Sequence, residues 1–443
     1  MDKDIFDHNG VPGATMRRFN RSANGLEQLS EGHIPDVHFS AMMENCDVLH
    51  IDTVYRPSIP GDHYLEFIST GPAKLLIDDV ECMTVKDKRA DQMAFILGSA
   101  NGSVQQHRFE AGREYRIHIE TASPEVRPGR FALLEGVIGI TLGHMLQEVY
   151  EEDLLPEAVE VAKTVDTAIV FVGRSKPWES EGCDHESMAL PARGSQDRLI
   201  EAVAEVNSNT IVVNSTGTPI NMPWLSKVKA VLHTWFPGQE AGNSIADVVF
   251  GKTCPGGRLP CTFPVSESDA PAHGNFPGDV DNTLQVKYEE GSFIGHRYFY
   301  HHPDKVLFQF GYGLSYTQFD IFDIESKDIE MAGDRYSVTA RVRNTGNMTG
   351  AEVLQVYVVP VDQDDSPVQR KLAAYCSVDV APGNVESVEM SWTHEQFAEW
   401  DEQQYQWVIA PGRYVAQVAT TAAAGDVKAS FAFRIDTAVH IRP

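Results

Sequence analysis

The pattern of apolar and polar positions changes character along the chain. From about Val11 to Gly143, short runs alternate the two, as in His63-Tyr-Leu-Glu-Phe-Ile, Ala73-Lys-Leu-Leu-Ile-Asp and Arg113-Glu-Tyr-Arg-Ile-His-Ile. A period of two turns one face of a strand into a core. Turn residues at Pro60-Gly-Asp, Ala111-Gly and Pro128-Gly separate the runs. That spacing predicts a β-sandwich.

The period then lengthens. Residues from Asp153 predict a helix, with Asp153 as cap and Pro156 in the first turn. The apolar run Thr167-Ala-Ile-Val-Phe-Val-Gly173 reads as a buried strand. Leu199, Ile200, Val203 and Val206 share one face of a helix predicted over Ser195 to Val206. Thr210-Ile-Val-Val and Val228-Lys-Ala-Val-Leu-His read as further strands, and Gln239 to Phe250 as a helix closed by Gly251. Strand alternating with helix implies a mostly parallel, helix-covered sheet. Only about three of its strands are visible, so the α/β sandwich looks incomplete.

From Thr253 to Leu314, Pro, Gly and aromatic residues dominate and no period holds. Long irregular stretches are usually functional or wrap another surface. Alternation returns in Ser337-Val-Thr-Ala-Arg-Val-Arg, Glu352-Val-Leu-Gln-Val-Tyr-Val-Val, Glu386-Ser-Val-Glu-Met-Ser-Trp and Arg413-Tyr-Val-Ala-Gln-Val. Turns at Asn344-Thr-Gly, Pro382-Gly and Pro411-Gly join these runs, predicting a second sandwich of immunoglobulin or fibronectin type.

Length agrees with several domains, since 443 residues exceed one ordinary core. A net charge of −27 disfavours nucleic acid and anionic membrane surfaces as partners. No apolar run is long enough to span a bilayer. Met1-Asp-Lys-Asp-Ile-Phe-Asp-His lacks the basic and apolar regions of a signal peptide, so an intracellular location is favoured for the chain as written. The six cysteines are scattered without a C-x-x-C pair, so free thiols are expected.

Candidate chemistry gathers after the Thr167–Gly173 strand. In Trp178-Glu179-Ser180-Glu181-Gly182 two carboxylates flank a serine beside an indole. Open α/β sheets carry their sites at this strand end. Glycosidic cleavage needs two carboxyl groups flanking the bond, one as acid and one as nucleophile or base. Glu179 and Glu181 do not make that pair, because residues two apart on an extended segment point to opposite faces. One of them is a candidate acid whose partner lies elsewhere, with Trp178 beside it as a substrate-binding surface. Solvated loop glutamates are the plainer alternative.

Glu289 and Glu290 are further acidic candidates, again with a solvated loop as the plainer reading. Tyr288, Phe293, Tyr298, Phe299 and Tyr300 read as a sugar-stacking wall or as core. No H-E-x-x-H, P-loop, G-x-G-x-x-G or G-x-S-x-G occurs, and His301-His302 reads as a surface turn before Pro303. No metal and no cofactor is expected.

Several motifs together resemble the family-three glycoside hydrolases, in particular fungal β-glucosidases. They are Trp178-Glu-Ser-Glu-Gly-Cys-Asp184, Thr216-Gly-Thr-Pro219, Trp235-Phe-Pro-Gly-Gln-Glu-Ala-Gly-Asn243, Gly256-Gly-Arg-Leu-Pro-Cys-Thr-Phe-Pro264, Tyr288-Glu-Glu-Gly and Phe310-Gly-Tyr-Gly-Leu-Ser-Tyr316. The resemblance covers nearly the whole chain. It implies a protective-antigen type β-sandwich over residues 11–145, an α/β sandwich over 146–318 and a fibronectin type III-like domain over 319–438. It also implies a retaining β-glucosidase acting on a β-glucoside or oligosaccharide, with Glu181 as acid/base and Glu179 as runner-up.

In that family the nucleophile sits on an N-terminal (β/α) barrel with no counterpart here. The expected partner is therefore the missing barrel domain, and the chain alone is expected to be inactive. A homo-oligomer stays open. The alternatives are a non-catalytic carbohydrate-binding protein and a truncated inactive homologue.

Overall fold

The computed structural model describes residues 4–41, 46–86, 90, 92–98, 100–122, 138–176, 178–180, 185, 187–191, 194–275, 285–327, 335–362 and 369–442. The chain divides into two compact units. One comprises residues 1–186, 190–214 and 224–232; the other comprises 187–189, 215–223 and 233–443. Sheets dominate, with few helices, in an α/β plus all-β architecture.

The first unit opens with strands β1 (Ile5–Phe6), β2 (Ala14–Ser22), β3 (Gly25–Ile34), β4 (His38–Ala41), β5 (Val48–Tyr55), β6 (Gly61–Ser69), β7 (Ala73–Ile77) and β8 (Val80–Val85). Helix α1 (Gln92–Leu97) precedes β9 (Ser103–Phe109), β10 (Tyr115–Ala122) and β11 (Ile138–Leu146). One sheet runs β3-β2-β5-β10-β7-β8 with β1 added on β5; the other runs β4-β11-β6-β9. Alternation explains the arrangement. Leu49, Ile51 and Tyr55 of β5, Ile117 and Ile119 of β10 and Leu75 of β7 share one core with Leu65 and Phe67 of β6, Phe109 of β9 and Ile140 of β11. Each such side chain contributes about 1.5–3 kcal/mol on burial. α1 closes over β11 at Gly139, where a Cβ would lie 2.4 Å from the Phe95 ring.

The ordered sheet begins earlier than Val11, because β1 pairs with β5. β2 and β3 were not evident as alternating runs. Their sequences are largely polar, and most β3 side chains face solvent.

The first unit continues with α2 (Gln147–Tyr150), α3 (Leu155–Ala162), β12 (Ala168–Gly173), α4 (Ser195–Val206), β13 (Thr210–Ser215) and β14 (Ala230–His233), whose last residues pass into the second unit. Pro156 stands in the first turn of α3, and Asp153 Oδ1 accepts from the Leu155 amide at 3.1 Å. The sheet order is β12-β13-β14. The Ala168 amide donates to Asn209 O at 3.3 Å and the Lys229 amide to Thr210 O at 2.8 Å. The strand starts therefore lie side by side and the strands run in one direction.

β12 departs from the expected buried strand. Ala168, Val170 and Val172 face inward, but Ile169 is 37% and Phe171 63% exposed. A run apolar on both faces has no alternation to report that only one face is covered within this unit.

The second unit begins with α5 (Ala241–Val249), after which Gly251 takes φ +70°, the left-handed helix-closing conformation that glycine adopts without strain. β15 (Phe263–Pro264), α6 (His296–His301) and β16 (Val306–Phe308) follow, so the stretch from Thr253 to Leu314 is not structureless. Then come β17 (Phe319–Lys327), β18 (Arg335–Asn344), β19 (Gly350–Pro360), β20 (Lys371–Val380), β21 (Val385–Thr393), β22 (Glu399–Asp401), β23 (Gln406–Ile409), β24 (Gly412–Ala419), β25 (Ala429–Ile435) and β26 (Val439–Ile441). They form sheets β17-β18-β21, β20-β19-β24-β25 and β22-β23-β26. Val338 and Val342 of β18 and Met390 and Trp392 of β21 share a core with Leu354 and Val356 of β19 and Ala416 and Val418 of β24.

Candidate active site

Gly173 ends β12 and is pinned by α4. Its amide donates to Gln196 Oε1 at 2.8 Å, and Gln196 Nε2 donates back to Gly173 O at 3.0 Å. The next residue, Arg174, turns inward and is only 7% exposed. Its Nη1 lies 3.1 Å from His185 Nδ1 and 3.8 Å from Glu179 Oε2. Burial pulls the guanidinium below its ordinary range, and the charge of Glu179 opposes that shift.

The chain then doubles back. The amides of Trp178 and Glu179 both donate to Ser175 O, at 2.8 and 3.0 Å. This turn leaves the Trp178 indole 49% exposed at the carboxyl end of β12. The Glu179 side chain is only 14% exposed and faces the guanidinium. Trp178 is thus half exposed, while Glu179 faces a buried cation as its counter-charge. Glu181, with Gly182, Cys183 and Asp184, lies outside the described residues.

Arg174 is the residue that sequence reasoning missed. The available signal was a cation directly after an apolar strand, whose stem has nowhere to lie but against the core.

The other acidic candidates belong to the second unit. Glu290 Oε2 accepts from Asn275 Nδ2 at 2.7 Å. Both glutamates line a cavity of ≈ 380 Å³ with Asn275, Phe293, Tyr298 and His302. The five aromatic residues do not form one wall. Phe299 is core at 4% exposure, Tyr288 is 80% exposed, and Tyr300 lies beside Arg370. Phe293 and Tyr298 alone of the five line the cavity. The His302 ring lies tilted against Tyr298 at 4.3 Å, and its backbone caps the turn at Pro303. Cys46, Cys82, Cys254, Cys261 and Cys376 are free thiols.

Residues 85–316 match the model of the glycosyl hydrolase family 3 C-terminal domain. Residues 352–422 match that of the fibronectin type III-like domain. The chain is 40% identical over 430 residues to Beta-glucosidase B of Emericella nidulans, covering 94% of this chain and 50% of that protein. It is 34% identical over 414 residues to a Beta-glucosidase of Rhizobium radiobacter, covering 92% of this chain and 48% of the relative. Among solved structures, the beta-glucosidase of Kluyveromyces marxianus in complex with glucose superposes with a TM-score of 0.77 at 26% identity, over 98% of this chain and 51% of that one.

The α/β and all-β parts of the chain are thus those of a glycoside hydrolase family. The chain belongs to glycoside hydrolase family 3, and its matched segments are that family's C-terminal domain and a fibronectin type III-like domain. It spans about half the length of the curated relatives it matches.

Proposed function

We propose that the chain forms the acid/base side of the active site of a retaining β-glucosidase, which releases terminal β-D-glucosyl residues from β-glucosides or oligosaccharides. Glu181 is the acid/base. The nucleophile comes from a barrel outside these 443 residues, and no cofactor takes part. Residues 11–145 are a protective-antigen type sandwich contacting carbohydrate, 146–318 the α/β sandwich, and 319–438 the fibronectin type III-like domain.

The observation that carries this reading is the 40% identity to Beta-glucosidase B across 94% of the chain. Local geometry supports the choice between the two glutamates. Glu179 sits 3.8 Å from a buried guanidinium as its counter-ion, whereas a general acid must hand its proton to the leaving oxygen and take one back from water. Trp178, half exposed beside it, offers an apolar ring face to a sugar.

The test is hydrolysis of an aryl β-glucoside by the chain alone and with a barrel-only chain from a relative. The chain alone is expected to be inactive, and robust turnover by it would sink the reading that its nucleophile lies elsewhere. With the barrel present, Glu181→Gln is expected to lose about 10²–10⁴-fold in rate, more than Glu179→Gln. The reverse order would move the assignment to Glu179.

A further inference from the structure

Strand pairing in the first unit gathers side chains far apart in sequence. β5 and β10 are antiparallel, with His118 opposite Asp52 and Glu120 opposite His50. Leu49, Ile51, Ile117 and Ile119 point into the core. The alternate positions His50, Asp52, His118 and Glu120 therefore share the outer face of the sheet. β2 brings Arg17 opposite His50 on the other side. His50, His118 and Glu120 each present a ligand-type atom, and these atoms lie within 4.8 Å of one another.

Two further observations bear on this cluster. His118 Nδ1 bonds Asp52 Oδ1 at 2.7 Å, and the other Asp52 oxygen accepts from Arg17 Nη1 at 2.7 Å. That fixes the His118 ring and leaves Nε2 as its second nitrogen, the carboxylate–histidine arrangement that orients metal ligands. Independently, His50 Nε2 is out of contact with solvent and has no hydrogen-bond partner among the described residues. The ring is held there by Phe19 at 4.6 Å and by the edge of His118 at 5.0 Å. A buried polar atom left unmatched is destabilising, a cost that a bound ligand removes.

We propose that His50, His118 and Glu120 bind a zinc-class divalent cation through His50 Nε2, His118 Nε2 and a Glu120 carboxylate oxygen, with water as fourth ligand. Two imidazoles and one carboxylate suit zinc, whereas calcium and magnesium take oxygen ligands. Tetrahedral bonds of ~2.1 Å set ligand atoms about 3.4 Å apart, closer than the 4.8 Å within which these atoms now lie, so binding requires the Glu120 and His50 side chains to close on His118. The nearby cations are Arg17, already engaged by Glu31 and Asp52, and Lys74, opposite Glu120 on β7; against them stand the three carboxylates Glu31, Asp52 and Glu120. The ion clamps β5 to β10 on the face opposite the core. No sequence motif announces it, since its ligands come from two strands and meet only through their register.

The test uses the 443-residue chain after chelator treatment. ZnCl₂ is titrated by calorimetry, and CoCl₂ is added while visible absorption is followed. The expected result is one zinc site and a cobalt d–d spectrum. Asp52→Asn should weaken zinc binding about 10–100-fold, and His50→Gln and Glu120→Gln by more. The remote, exposed variant His440→Gln should bind as the unmutated chain does. Circular dichroism and melting of each metal-free variant establish that it is folded. Should His50→Gln fail to fold, the cobalt spectrum of the unmutated chain decides. The proposal is overturned by absence of that spectrum, by no zinc binding to the unmutated chain, or by equal affinity in a folded His50→Gln.

Discussion

The guanidinium carbon of Arg370 lies 3.8 Å from the centroid of the Tyr357 ring, and neither residue reaches solvent. Arg370 Nη1 donates to Ala422 O at 2.7 Å and Nε to Gln417 Oε1 at 3.0 Å. Tyr300 of α6 lies on it at 5.4 Å. One cation thus joins β19, β24, α6 and the segment after β24. Burial pulls it below its ordinary pKa, and the tyrosines and Asp426 oppose that shift. Lysine has neither the planar face nor the fork. Arg370→Lys is expected to destabilise by about 2–4 kcal/mol, read from the denaturant midpoint of the second unit. An unchanged midpoint would remove the pair from any account of its stability.

Arg174 and Glu179 make the corresponding pair in the first unit, 3.8 Å apart with side chains 3% and 14% exposed. Removing one charge of a buried pair is more damaging than removing both. Glu179→Gln is expected to cost about 1–3 kcal/mol, and Arg174→Leu to make Glu179→Gln nearly neutral. A double-mutant cycle measures the coupling, and additive losses would refute it.

Trp224 is fully buried, and its indole Nε1 donates to Asp197 Oδ1 at 2.8 Å. Burial raises the Asp197 pKa, and this bond opposes the rise. Trp224→Phe keeps most of the apolar volume and deletes the donor. The expected loss is about 1–3 kcal/mol, with an Asp197 pKa that moves further upward. NMR titration of the carboxyl carbon reads the shift, and a downward move contradicts the arrangement.

His296 is half-buried against Phe310 and Tyr357, and desolvation pushes its pKa down to about 4. An unfolded imidazole titrates near 6.5. Between those values the unfolded chain binds the proton and the folded chain does not, so stability rises with pH across that window. The stabilisation is present above about pH 6.5 and is lost as pH falls toward 4, by at most about 2 kcal/mol at pH 5. His296→Gln should flatten the urea-stability profile of the second unit between pH 4 and 6.5. An equally steep profile would show that other groups set it.

Much of this architecture could be read from alternation. His63–Ile68, Ala73–Ile77 and Ser337–Arg343 lie on strands whose inward residues are mostly apolar, with His63 and Ser337 as buried polar exceptions and Ile68 and Leu76 as outward apolar ones. The polar hairpin of β2 and β3 was not legible, because β3 side chains are mostly exposed and the half-buried stretch of β2 is largely polar, so residue identity is weakly constrained. β12 showed the opposite failure, reading as buried because Phe171 is apolar although exposed. Arg174 and Arg370 escaped because hydropathy assigns arginine to the surface; the partners of Arg370 are also distant in sequence, whereas those of Arg174, Glu179 and His185, are near. The Trp178–Gly182 loop was legible as a motif and a strand end, but not the occupation of Glu179 by Arg174.

β11 also constrains how this protein is made. It pairs with β4 at Ile138–Ala41 and with β6 at Leu146–His63. About a hundred residues separate β4 from β11, which at about 5–20 residues per second keeps the ribosome busy for about 5–20 s. During that interval Leu65 and Phe67 are already synthesised, but the strand that fills their sheet is not. The nascent chain must therefore carry open strand edges on the ribosome, a period in which a chaperone has something definite to cover.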